Sequence, residues 1–147
     1  MDKQLTENEA KKQYLREYRE HVRRIHRIEE EIRELRLMKT CPTVNNDGMP
    51  RGSNKSDLSG YVAEIDGMIR ELQDEHYWRI KSYKEIVKRI KELRSENEID
   101  VLFYRYIKGM DWWEIADKMN YTERWIHKIH GKALAHFELP KEFIEVH

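Results

Sequence analysis

The 147-residue chain holds one cysteine, Cys41, three prolines and six glycines. A single thiol excludes an internal disulfide and any Cys-rich zinc site. With so little Pro and Gly, long stretches contain nothing to interrupt a helix. Net charge is missing as well, because 28 Lys and Arg offset 28 Asp and Glu. No overall field therefore draws the chain to nucleic acid or to an anionic membrane, and such binding needs a local patch. No run approaches the ~18 consecutive apolar residues of a membrane span, and the opening MDKQLTENEAKK lacks the apolar centre of a secretory signal. An intracellular protein that does not bind membranes is the expectation.

Catalytic patterns are also absent. There is no Gly-rich phosphate loop, no G-x-S-x-G elbow, no HExxH and no clustered carboxylate pair, so no enzyme activity, catalytic residue or cofactor is expected. His127 and His130 share an i, i+3 spacing, but no Cys or carboxylate completes a metal set. Solvated or DNA-facing imidazoles are expected there, with no metal.

What is present is the vocabulary of exposed helices. Charged residues reach 38% against 39% apolar ones, yet four Trp, eight Tyr and three Phe are too many aromatics for a disordered chain. The fold class is all-α. Thr6-Glu7-Asn8-Glu9 reads as a capping box opening a helix to Met38. Leu15, Tyr18, Val22, Ile25, Ile28, Ile32 and Leu35 form its apolar stripe at spacings of three and four. Residues 39–56 hold two prolines, two glycines and several Asn, Ser and Thr, the composition of a flexible linker. Asp57 then caps a second long helix towards Arg94, with a heptad-like seam of Leu58, Val62, Ile65, Ile69, Leu72, His76, Arg79, Tyr83, Ile86, Ile90 and Leu93. Two such amphipathic helices pair either as a hairpin within one chain or as a coiled coil between copies, which makes a homodimer one expectation. Residues 1–94 thus read as a helical hairpin or oligomerisation region, and residues 95–147 as a second domain.

That second domain has different punctuation. Ser95-Glu96-Asn97-Glu98 reads as a capping box, Gly109 as a left-handed helix stop, and Asp111 as the cap of a short helix ending at Met119-Asn120. Thr122 caps a longer helix reaching Phe137. A short helix, a tight turn and a longer helix are the layout of a helix-turn-helix. Val101, Leu102, Tyr104, Tyr106, Trp112, Ile115, Ala116, Met119, Ile126, Ile129, Ala133, Leu134 and Phe137 are its expected core, with Tyr121 closing the turn. Removing that face from the last helix leaves Thr122, Glu123, Arg124, Trp125, His127, Lys128 and Lys132, the candidate DNA-binding residues. The helix N-terminus and the Thr122 hydroxyl suit a phosphate, Arg124 and Lys128 suit guanine edges or backbone, and Glu123 suits a cytosine amino group. The alternative for such a charged face is plain solvation.

SENEIDVLFYRYIKGMDWWEIADKMNYTERWIHKIHGKALAHF resembles region 4 of the bacterial sigma-70 factors, the helix-turn-helix that reads the promoter −35 element. The matching features are Val101, Leu102, Arg105 and Tyr106, then Glu114–Ala116, then Thr122, Ile126 and Ile129, and finally Lys132–Leu134. The resemblance implies base contacts at Glu123, Arg124, Trp125, His127 and Lys128. A long N-terminal helix, the linker and a sigma-4-like end together resemble the RinA- and ArpU-type late-gene transcription activators of Gram-positive prophages. This implies double-stranded promoter DNA as the ligand, RNA polymerase as a contact of the N-terminal helices, and the cytoplasm of a bacterial host as the location. Nothing resembles the sigma region that melts the −10 element, so a complete sigma factor is not expected. Trp125 and His127 stand where that family carries basic residues, so no target sequence carries over. Gly131 lies inside the recognition helix, where it permits a bend or a close contact. Trp113 reads as either a half-buried packing residue or a docking residue. A DNA-packaging small-terminase subunit, or an adaptor that binds polymerase without DNA, are the alternative readings.

Overall fold

A computed structural model describes residues 2–40 and 54–146, with side chains described for residues 6–38 and 59–143. Among the described residues all regular structure is helical. Helix α1 spans Asp2–Thr40, α2 Asn54–Ile90, α3 Glu96–Leu102, α4 Trp112–Met119, α5 Glu123–His136 and α6 Lys141–Val146. The interior of the expected linker, with Cys41, lies outside the described residues. None of these helices is long and apolar enough to cross a membrane.

The long helices start earlier than their capping signals. Thr6 sits one turn inside α1, because Lys3, Gln4 and Leu5 are good helix formers and nothing forces the chain to turn before Asp2. Asp57 likewise lies within α2, which ends at Ile90 rather than Arg94. Beyond Ile90 the chain tightens, with Glu92 N–H donating to the Arg89 carbonyl at 3.2 Å and Leu93 N–H to Ile90 at 3.1 Å.

The described chain falls into two compact units, Met1–Glu20 with Arg79–His147, and His21–Trp78. A division at residue 94 therefore falls inside the first unit, since the start of α1 and the end of α2 join the C-terminal helices there. In the second unit α1 and α2 run antiparallel. Ile28 and Ile32 pack with Ile65, flanked by Leu35, Tyr61, Met68, Ile69 and Leu72, and His21 Nδ1 lies 2.8 Å from Glu75 Oε2. The α1 stripe is buried from Leu15 to Ile32. The α2 seam is less regular, with Ile65, Ile86, Ile90 and Leu93 buried but Val62 and Tyr83 exposed. Leu58 lies outside the described side chains.

In the first unit, Val101, Ile115, Ala116, Ile126 and Ile129 form a core covered by Tyr104, Met110, Trp112 and Met119. Leu134 and Phe137 continue the buried row on α5. The start of α1 is tied to that row: Tyr14 stacks obliquely on Phe137 at 6.0 Å, and Lys11 Nζ donates to the Leu134 carbonyl at 2.7 Å. After α3 the helix widens over Phe103–Ile107 into a π-turn, where Lys108 N–H donates to the Phe103 carbonyl at 3.1 Å. The wider turn buries Tyr106 and Ile107 together. It also lets Arg105 reach the Met110 carbonyl at 3.0 Å and lie 4.4 Å from the Trp112 ring.

Gly109 stops this segment at φ +69°, and a Cβ there would stand 2.7 Å from the Arg19 guanidinium carbon. Gly131 is the opposite case, since it sits mid-helix with φ in the ordinary range and nothing within 4 Å of an added Cβ. Of the two readings of Gly131, a bend or a close contact, the close contact is therefore not made. Two alanine substitutions should shift stability in opposite directions, as read by urea denaturation. Gly109→Ala is expected to cost about 2 kcal/mol, chiefly through left-handed strain, since the flexible Arg19 side chain can shift away. Gly131→Ala is expected to add about 1 kcal/mol through helix propensity.

Candidate nucleic-acid interface

The candidate face begins at a tightly built turn. Asp111 has extended geometry, and its N–H donates to Glu114 Oε1 at 3.1 Å, starting α4 as a capping box. At the other end Asn120 is left-handed, with φ 59° and ψ 43°. There Tyr121 N–H donates to the Ala116 carbonyl at 3.0 Å and Asn120 N–H to Asp117 at 3.4 Å, the paired bonds of a Schellman stop. Two residues later Thr122 Oγ1 accepts from Trp125 N–H at 3.1 Å and opens α5. Asn120 tolerates this conformation because its short polar side chain tolerates positive φ better than most residues.

Helix α5 is strictly two-sided. Ile126, Ile129, His130, Ala133 and Leu134 are buried. Thr122, Glu123, Arg124, Trp125, His127, Lys128 and Lys132 are all exposed. At 3.6 residues per turn, Arg124, Lys128, Lys132 and Trp125 fall within an arc of about 100°. Lys128 Nζ and Lys132 Nζ lie 6.0 and 5.8 Å from the Trp125 ring centroid. His127 stands at the edge of this arc, its ring 4.5 Å from that of Trp112. The structure thus leaves all seven sequence-derived residues exposed but gathers only Arg124, Trp125, Lys128 and Lys132 on one arc, with Thr122 and Glu123 exposed because they stand at the helix start; it adds Tyr121, exposed and 6.5 Å from Trp125.

Several expectations need correction. His130 is buried, not solvated or facing a ligand. Its Nε2 lies 2.7 Å from the Tyr106 hydroxyl, and its ring meets Trp112 edge-on at 4.7 Å. Burial pushes the imidazole down to about 4, helped by the positive charges of Lys12, His127, Arg105 and Arg16. The ring is therefore neutral at pH 7, where Nε2 can accept the hydroxyl proton. Burial also pushes the Tyr106 phenol up to about 12, which keeps that proton in place. A helical wheel carries the signal, since His130 lies four residues after Ile126 and four before Leu134.

Glu98 does not complete a capping box with Ser95. The Ser95 hydroxyl accepts from Glu98 N–H at 3.4 Å, but the Glu98 carboxylate is buried and lies 2.8 Å from His136 Nδ1. This bond spans α3 and the end of α5, and nothing in the local sequence announces it. Trp113 is 62% exposed, so the half-buried packing reading does not hold. Tyr121, in the turn as expected, is exposed there, and its hydroxyl accepts from Asn97 Nδ2 at 3.2 Å.

No family model, curated protein or solved structure matches the chain.

The buried imidazole makes stability depend on pH in a defined direction. In the unfolded chain a histidine takes up its proton near pH 6.5, whereas folded His130 resists protonation down to about 4. The stabilisation is complete above pH 6.5 and is lost as pH falls towards 4, by an amount on the order of 3 kcal/mol. Denaturant midpoints measured from pH 7.5 to 4 should fall through that window, and His130→Gln should flatten the fall.

Proposed function

We propose that this chain is a sequence-specific DNA-binding transcription regulator of phage or prophage origin. In this reading α4, the Asn120–Tyr121 turn and α5 act as a helix-turn-helix, and α5 enters the major groove of promoter DNA. The observation that carries it is the two-sidedness of α5: one face is anchored in the core, and the other presents Arg124, Lys128 and Lys132. No ion pair to another described residue neutralises these three cations. A chain with no net charge has thereby gathered an unneutralised cationic arc that starts in the first turn of α5, where phosphate is favoured further by the helix dipole.

Sequence likeness to sigma region 4 supplies the promoter as the kind of site and RNA polymerase as the neighbouring protein. The long helices would then contact polymerase or pair with a second copy. Two copies would read half-sites one helical turn, or a multiple of it, apart.

Arg124 and Lys128 are fully outside the core, so their loss should not disturb folding. Arg124→Ala and Lys128→Ala are each expected to weaken duplex binding by roughly tenfold with unchanged helicity. Lys132→Ala is expected to lower the log–log salt slope by about 1. Binding assays on a duplex enriched from a random pool, run as a salt series, check both. Unchanged affinity in both the Arg124 and Lys128 variants would contradict the docking of α5.

A further inference from the structure

Helix α5 carries one large apolar side chain that faces solvent, Trp125, which is 41% exposed. The side chains of an α-helix lean towards its N-terminus, so Lys128 and Lys132 reach back to the indole from three and seven positions downstream. Tyr121 adjoins it from the turn. These contacts orient a ring that the core does not hold. The indole therefore stands beside Arg124, in the first turn of the helix, with cations along one side.

An exposed indole is costly on a face that only meets water, where a polar residue would leave less apolar surface hydrated. The major groove offers an apolar feature of its own, the thymine C5-methyl, while the remaining edge groups are hydrogen-bond donors and acceptors. The neighbouring cations match the phosphates that flank any base edge. We infer that Trp125 is a specificity-determining residue that packs its indole against a thymine C5-methyl, so that the target site contains a thymine opposite the first turn of α5. This inference rests on the DNA-binding reading above.

The test uses the full chain and the duplex it enriches from a random pool. Each thymine is replaced in turn by uracil, which preserves pairing and O4 and removes only the methyl. At the thymine that meets Trp125 the expected loss for the wild-type chain is about fourfold, the effect of burying one methyl. Trp125→Gln is expected to bind the thymine and uracil duplexes equally, while Arg124→Ala keeps the difference despite weaker binding. Wild-type affinity that is indifferent to uracil at every position, with duplex binding intact, overturns the inference and leaves the DNA-binding reading in place. An undiminished uracil effect in Trp125→Gln also overturns it, because another side chain then reads the methyl. Failure to retain any duplex at low salt removes both.

Discussion

The attachment of α5 to its core is the constraint on which the first unit depends. Ile126, Ile129, Ala133, Leu134 and Phe137 make an apolar row, and His130 interrupts it with a polar ring that must be satisfied. Tyr106 meets that need at 2.7 Å, and it can do so because the π-turn over Phe103–Ile107 brings its hydroxyl inward. A neutral imidazole bonded to a phenol, with Trp112 against its edge, ties three helices at a single point. A buried polar pair of this kind is costly if misplaced, so it selects one rotation of α5 about its axis. That rotation decides which residues face outward.

Four further contacts act at the ends of the same helix. Thr122 and the Schellman stop at Asn120 define where α5 begins. Lys11 donates to the Leu134 carbonyl near its end, and Glu98 bonds His136 in its last turn. The start of α1 therefore does more than pair with α2, since it closes over the C-terminal helices and contributes Arg19 beside Gly109. Rigid support beneath and free cations above are what a recognition surface requires, because groups held in place before binding lose little entropy on contact.

Much of this was legible in the sequence, and the reasons differ by feature. The α1 stripe could be read because spacings of three and four admit one buried face. The stops at Gly109 and Asn120 could be read because few residues accept positive φ. The candidate face emerged by subtraction, so its exposure followed from the core of α5. Features that depend on a distant partner could not be read. Glu98 looks like a cap until His136 arrives from 38 residues away, and the π-turn has no sequence signature. Thr6 misled for the opposite reason, since a capping signal ends nothing when the residues before it also favour a helix.

The central claim is that the outward face of α5 is where duplex DNA binds. Amide hydrogen exchange on the full chain, with and without a retained duplex, tests it most directly. The account predicts added protection concentrated over residues 122–132, with smaller changes at the turn before it. Protection confined to α1 and α2, with residues 122–132 unchanged, would contradict it.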